Sequence, residues 1–117
     1  MIAEWIEEIK KTADPEKLGM IIVHNGIVRG TSKDGKTVGA MKLSYDKGML
    51  EACVKELKGR DGIADIRAWI NEGMLNVGDD IMRLVVAGRF RTDVLPVLQE
   101  LLSFIKSRVV HEEEMYT

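Results

Sequence analysis

A single cysteine, Cys53, leaves this chain no internal disulfide and no cysteine metal cluster. Histidine is nearly as scarce, and His24 and His111 make no convincing metal set. Aromatic residues form 5% of the sequence and show no regular interleaving with basic ones. Basic charge is not in excess either: 17 Lys+Arg stand against 19 Asp+Glu, a formal charge of −2. A nucleic-acid binder needs a broad basic field, which this balance does not supply. No apolar run reaches the roughly 20 residues of a membrane span. The opening Met1-Ile2-Ala3-Glu4-Trp5 lacks the basic-then-apolar order of a secretory signal. There is no nucleotide-binding glycine loop and no serine in a nucleophile elbow. These absences lead to the expectation of a soluble cytoplasmic protein with no metal, nucleic-acid partner or membrane partner.

What is present suits one domain spanning residues 1 to 117, with 45% hydrophobic residues to build a core. Residues 2 to 11 place Ile2, Trp5, Ile6 and Ile9 on one helical stripe, and Asp14-Pro15 breaks it. Residues 20 to 28 read as an apolar strand, and Asp34-Gly35 as a hairpin turn. Residues 37 to 45 alternate, with Met41, Leu43 and Tyr45 on one side. A helix is expected from about Lys47 to Lys58, stopped by Gly59, with Cys53 a small apolar residue on its buried stripe. Residues 63 to 70 and 81 to 87 read as strands. The stretch from 71 to 80 reads as a long turn in which Gly73 and Gly78 allow tight bends. The last helix is expected from about Val94 to Arg108, capped by Asp93, with Pro96 in its first turn. Residues 111 to 117 read as an acidic, flexible tail. The pattern is α+β: a mostly antiparallel sheet with helices packed on one face.

The candidate chemistry is cationic. Arg29 follows an apolar strand into a Gly-rich loop, a placement that presents a guanidinium at a strand exit. With Arg91, Lys106 and Arg108 it forms a set of possible contacts for a phosphate or carboxylate. Lys106 is the best candidate for covalent or proton-transfer chemistry. The bland alternatives are ordinary surface charges and, for Lys106 and Arg108, charges favoured at a helix C-terminus. His24, within a strand, reads as a structural histidine. Glu112-Glu113-Glu114 reads as a solvated acidic run, or as a partner that orders the neighbouring cations.

Gly26-Ile27-Val28-Arg29, the Val38 to Tyr45 strand with Gly48-Met49, the Glu72 to Asp79 turn, Phe90-Arg91 and Lys106 together resemble the MoaE family, the large catalytic subunit of molybdopterin synthase. Gly26-Ile27-Val28-Arg29 fills the family's Gly-x-Val-Arg motif. The Val38 to Tyr45 strand with Gly48-Met49 is similar to its second conserved region, and Glu72-Gly73-Met74-Leu75-Asn76-Val77-Gly78-Asp79 to its Gly-containing turn. Phe90-Arg91 stands where the family has a His-Arg pair. Lys106 matches the first lysine of the terminal motif, but the Pro and Trp of that motif are absent, and Glu113 falls at its second lysine.

The resemblance implies a MoaE-like α/β-hammerhead fold and a sulfur-transfer enzyme. A ubiquitin-like, MoaD-like small subunit would bring a C-terminal Gly-Gly thiocarboxylate. Two rounds of transfer to cyclic pyranopterin monophosphate would form the molybdopterin dithiolene. It further implies a homodimer within a heterotetramer and no permanently bound cofactor, the pterin precursor being substrate. On this pattern Arg29 and Arg91 hold the substrate phosphate, Arg108 supports the anionic pocket, and Lys106 assists the transfer. A noncatalytic homologue, acting in protein interaction or regulation, is the alternative that the altered terminal motif leaves open.

Overall fold

A computed structural model describes residues 1–117. The chain runs α1 (Ile2–Thr12), β1 (Met20–Ile27), β2 (Val38–Tyr45), α2 (Lys47–Lys58), β3 (Ile63–Ile70), β4 (Gly73–Asn76), β5 (Asp80–Gly88), α3 (Arg91–Phe104), a π-helical turn (Ile105–Val109) and β6 (Val110–Tyr116). All strand pairs are antiparallel, and they make two three-stranded sheets, β1-β5-β3 and β4-β2-β6. The expected α+β class with antiparallel pairing is what forms.

β5 is the centre of the first sheet because its sequence is apolar on both sides. Met82, Leu84 and Val86 join the main core with residues of α2, α3 and β3. Val85 and Ala87 point the other way, and Ile9 of α1 packs on them with Trp5 and Ile21. Arg83 interrupts this second face beyond the apolar contact with α1. It pairs with Asp80 at 2.6 Å and stacks over the Trp69 ring. The main core also takes in Met41, Leu43 and Leu75 from the second sheet, so one apolar cluster joins both sheets.

Three segments differ from the sequence reading. The stretch from 71 to 80 is not all turn: β4 pairs Leu75 with Met41 and buries it. Four residues between bends are too few for alternation to be visible, although Gly73 and Gly78 do take positive φ, at 122° and 92°. The last helix starts earlier, because the Phe90 carbonyl accepts from Asp93 N and Val94 N while the Asp93 carboxylate is engaged by Arg89 instead of capping. Pro96 therefore lies in the second turn. The helix also ends earlier, at Phe104. There the Ser107 hydroxyl donates back to the Ser103 carbonyl, and Val110 N–H bonds Ile105 across five residues. Finally, the expected flexible tail is β6, held along β2 from Val110↔Tyr45 to Tyr116↔Val38.

Candidate functional site

The Val28 backbone fixes the base of Arg29. Val28 N bonds Asp79 O, Gly78 N bonds Val28 O, and the Val28 side chain is buried. Arg29 Nε then donates to Thr31 O at 2.7 Å, which sets the direction of the guanidinium and leaves its two terminal nitrogens for other acceptors. Lys106 arrives from the other end of the chain. Ile105 and Val109 are buried on either side of it, so the three residues between them project from the core in the wide π turn.

Arg29 and Lys106 meet in one cavity of about 440 Å³, together with Lys33, Met41, Glu112 and Glu114. A second cavity of about 490 Å³ adjoins it, and Lys33, Lys106 and Glu112 line both. His24 lies nearby, half-buried on β1. Burial first, and then the charge of Lys106, push its imidazole below the usual histidine range. A third cavity, between α2 and β3, is lined by Leu50, Val54 and Ala68 and holds none of the candidate residues.

Arg91 and Arg108 are elsewhere. Arg91 opens α3, so the helix places it about 20 Å from Lys106 along its axis. Arg108 is exposed in the π turn and lines neither site cavity. The ion pairs separate the arginines into two groups. Arg60 pairs with Glu100, Arg67 with Glu8 and Asp65, Arg83 with Asp80, and Arg89 with Asp61 and Asp93. Arg29, Arg91 and Arg108 have no such partner.

Sequence reasoning missed Lys33, Glu112 and Glu114 as cavity residues. Lys33 shares a loop with Arg29, which was a usable signal. The two glutamates were legible only as an acidic run beside the cations, because an acidic strand carries no apolar alternation to show which of its residues face the core. Glu113, at the position of the family's second lysine, lies opposite Lys42 rather than in the cavity. No group of three or more His, Cys, Asp or Glu side chains is placed to hold a metal ion.

Comparisons with known proteins agree with this fold. Molybdopterin synthase from Staphylococcus aureus superposes with a TM-score of 0.77 at 18% identity, covering 96% of this chain and 84% of that one. Molybdopterin cofactor biosynthesis protein E from Burkholderia multivorans gives a TM-score of 0.75 at 21% identity, covering 100% and 82%. A chain of the complex of subunits 1 and 2 of the molybdopterin-converting factor from Helicobacter pylori gives 0.71 at 16% identity, covering 98% and 78%. No curated protein sequence matches. The family described as MoaE protein matches residues 3–108, which takes in Arg29, Arg91 and Lys106 and stops before β6. The chain belongs to the MoaE family, that of the molybdopterin synthase large subunit.

Proposed function

We propose that this chain is a catalytic subunit of molybdopterin synthase, transferring sulfur from a small-subunit thiocarboxylate to cyclic pyranopterin monophosphate. The observation that carries the reading is the meeting of Arg29 and Lys106 in one cavity, each without an ion-pair partner. Cations left unpaired around a cavity favour an anionic group, and a guanidinium already aimed by its own loop loses little freedom on binding. In this reading Arg29 holds the substrate phosphate and Lys106 acts at the reacting end. The adjoining cavity, which shares Lys106, gives the Gly-Gly tail of a ubiquitin-like partner a route to the same lysine. The complex of the Helicobacter pylori relative with its second subunit supports such a partner. Arg91 is a helix length away, so it contributes to this cavity only if a second copy brings it there. Arg108 lines neither cavity, so it has no direct part in this reading.

The test is product formation with a thiocarboxylated small subunit and the cyclic precursor. Lys106→Ala is expected to lower turnover far more than it weakens precursor binding, because its work lies in the chemical step. Normal single-turnover rates in that variant remove Lys106 from its role. A second reading, a noncatalytic homologue, is favoured by one observation: Glu112 and Glu114 add negative charge to the cavity. Absence of product from the wild-type protein with a competent partner supports that reading instead.

A further inference from the structure

Strand pairing sets Glu112 opposite Leu43 and Glu114 opposite Met41, on the side of β2 that faces the core. Glu113, one residue out of phase, falls opposite Lys42 on the other side. These two carboxylates, with that of Asp34 as a third, therefore share a cavity with Arg29, Lys33 and Lys106. Elsewhere in the molecule, neighbouring opposite charges have closed into ion pairs, as Arg60 with Glu100 and Arg67 with Asp65 have done. In this cavity they have not. None of Arg29, Lys33, Lys106, Glu112 and Glu114 belongs to an ion pair. The one side-chain hydrogen bond to either glutamate is a long one, from the Tyr116 hydroxyl to Glu114 at 3.5 Å.

Charges of both signs held apart around one space suit a ligand that is anionic at one end and rich in N–H donors at the other. A free phosphate is not such a ligand, since the carboxylates repel it. A pterin phosphate is. The amino-pyrimidinone edge of a pterin presents two roughly parallel N–H donors, and an ionised carboxylate accepts two such bonds at once. We propose that Glu112 and Glu114 determine specificity by binding the N–H edge of the pterin, while Arg29 holds the phosphate end and Lys106 stays at the reacting part. This rests on the reading of the cavity as a pterin-phosphate site. It gives the acidic β6 strand a binding role in the region where the terminal motif of the family is altered.

The test compares two probes, cyclic pyranopterin monophosphate and inorganic phosphate, by calorimetry on the full chain. The variants are Glu112→Gln, Glu114→Gln and the pair together, with circular dichroism melts to establish folding. Gln keeps the size of the side chain but replaces one acceptor oxygen with a donor. The double variant is expected to bind the pterin phosphate roughly 10- to 100-fold more weakly, the range for losing hydrogen bonds to a charged group. Inorganic phosphate is expected to bind more tightly, by about a few-fold, because repelling charges are gone. The opposite signs are the signature. If both probes tighten together, or if pterin binding is unchanged in a folded double variant, the carboxylates do not read the pterin, and this inference falls while the pterin site stands. If the wild-type protein does not bind the pterin phosphate at all, the reading of the site falls and takes this inference with it. The single variants, measured separately, keep the test valid should the double variant fail to fold.

Discussion

At the scale of single residues, the most telling distinction is between arginines that are satisfied within the chain and those that are not. Arg29 is unpaired yet oriented, by its Nε bond to Thr31 O. Arg29→Ala is expected to weaken binding of the cyclic precursor by about 1.5–3 kcal/mol, and Arg29→Lys to cost nearly as much, because an ammonium reproduces neither the fork nor the Thr31 bond. Calorimetry decides it, and an unchanged dissociation constant in folded variants excludes Arg29 from the site. His24 carries a pH signature. Burial, and after it the charge of Lys106, lower its pKa in the folded state. The unfolded chain then binds the proton more readily, so the contribution to stability is full above the ordinary imidazole value of about 6.5 and shrinks as the pH falls below it. In urea denaturation at a series of pH values, His24→Gln is expected to lose less stability than the wild type between about pH 7 and 5. Parallel curves contradict this.

At the scale of elements, α2 and α3 show two ways to start a helix. α2 is capped by Asp46, whose carboxylate accepts from Met49 N at 3.1 Å. Asp46→Ala is therefore expected to cost about 1 kcal/mol, readable as a lower denaturation midpoint at unchanged slope. α3 has no side-chain cap, since Asp93 is turned to Arg89 and Phe90 supplies only its carbonyl. At the other end of α3, buried Leu101, Ile105 and Val109 recur every four residues, a spacing compatible with a continuous helix. What changes the geometry is the Ser107 hydroxyl taking the Ser103 carbonyl. The wide turn that follows is what carries Lys106 to the cavity wall.

For the whole molecule, shape matters. Its extents are 50 × 25 × 23 Å, and its radius of gyration of 15.4 Å exceeds the roughly 13 Å of an equally long compact chain. Such a form leaves β1, β3, β4 and β6 as sheet edges. Ile27 and Val77 flank the Val28–Gly78 backbone link, 55% and 45% exposed, and are apolar side chains that a second copy could cover. A homodimer is accordingly expected in solution, with light scattering giving twice the mass of the chain. A monomer that persists as concentration rises contradicts it.

The helical stripes of α1, α2 and α3, the alternation of β2 and the apolar run of β5 are all readable from the sequence, because the period of burial is a local property of each segment. The motif Gly26-Ile27-Val28-Arg29 and the position of Lys106 are equally legible as residue patterns. Pairing is not local. That Leu75 completes a strand, that β2 leaves β1 to join β4 and β6, and that Glu112 and Glu114 face the core side are consequences of contacts between distant segments. The same holds for the site. Arg29, Lys106 and Arg91 are alike as cations in the sequence, but the length of α3 holds Arg91 away from Lys106, while the β1 exit and the π turn bring Arg29 and Lys106 to one cavity.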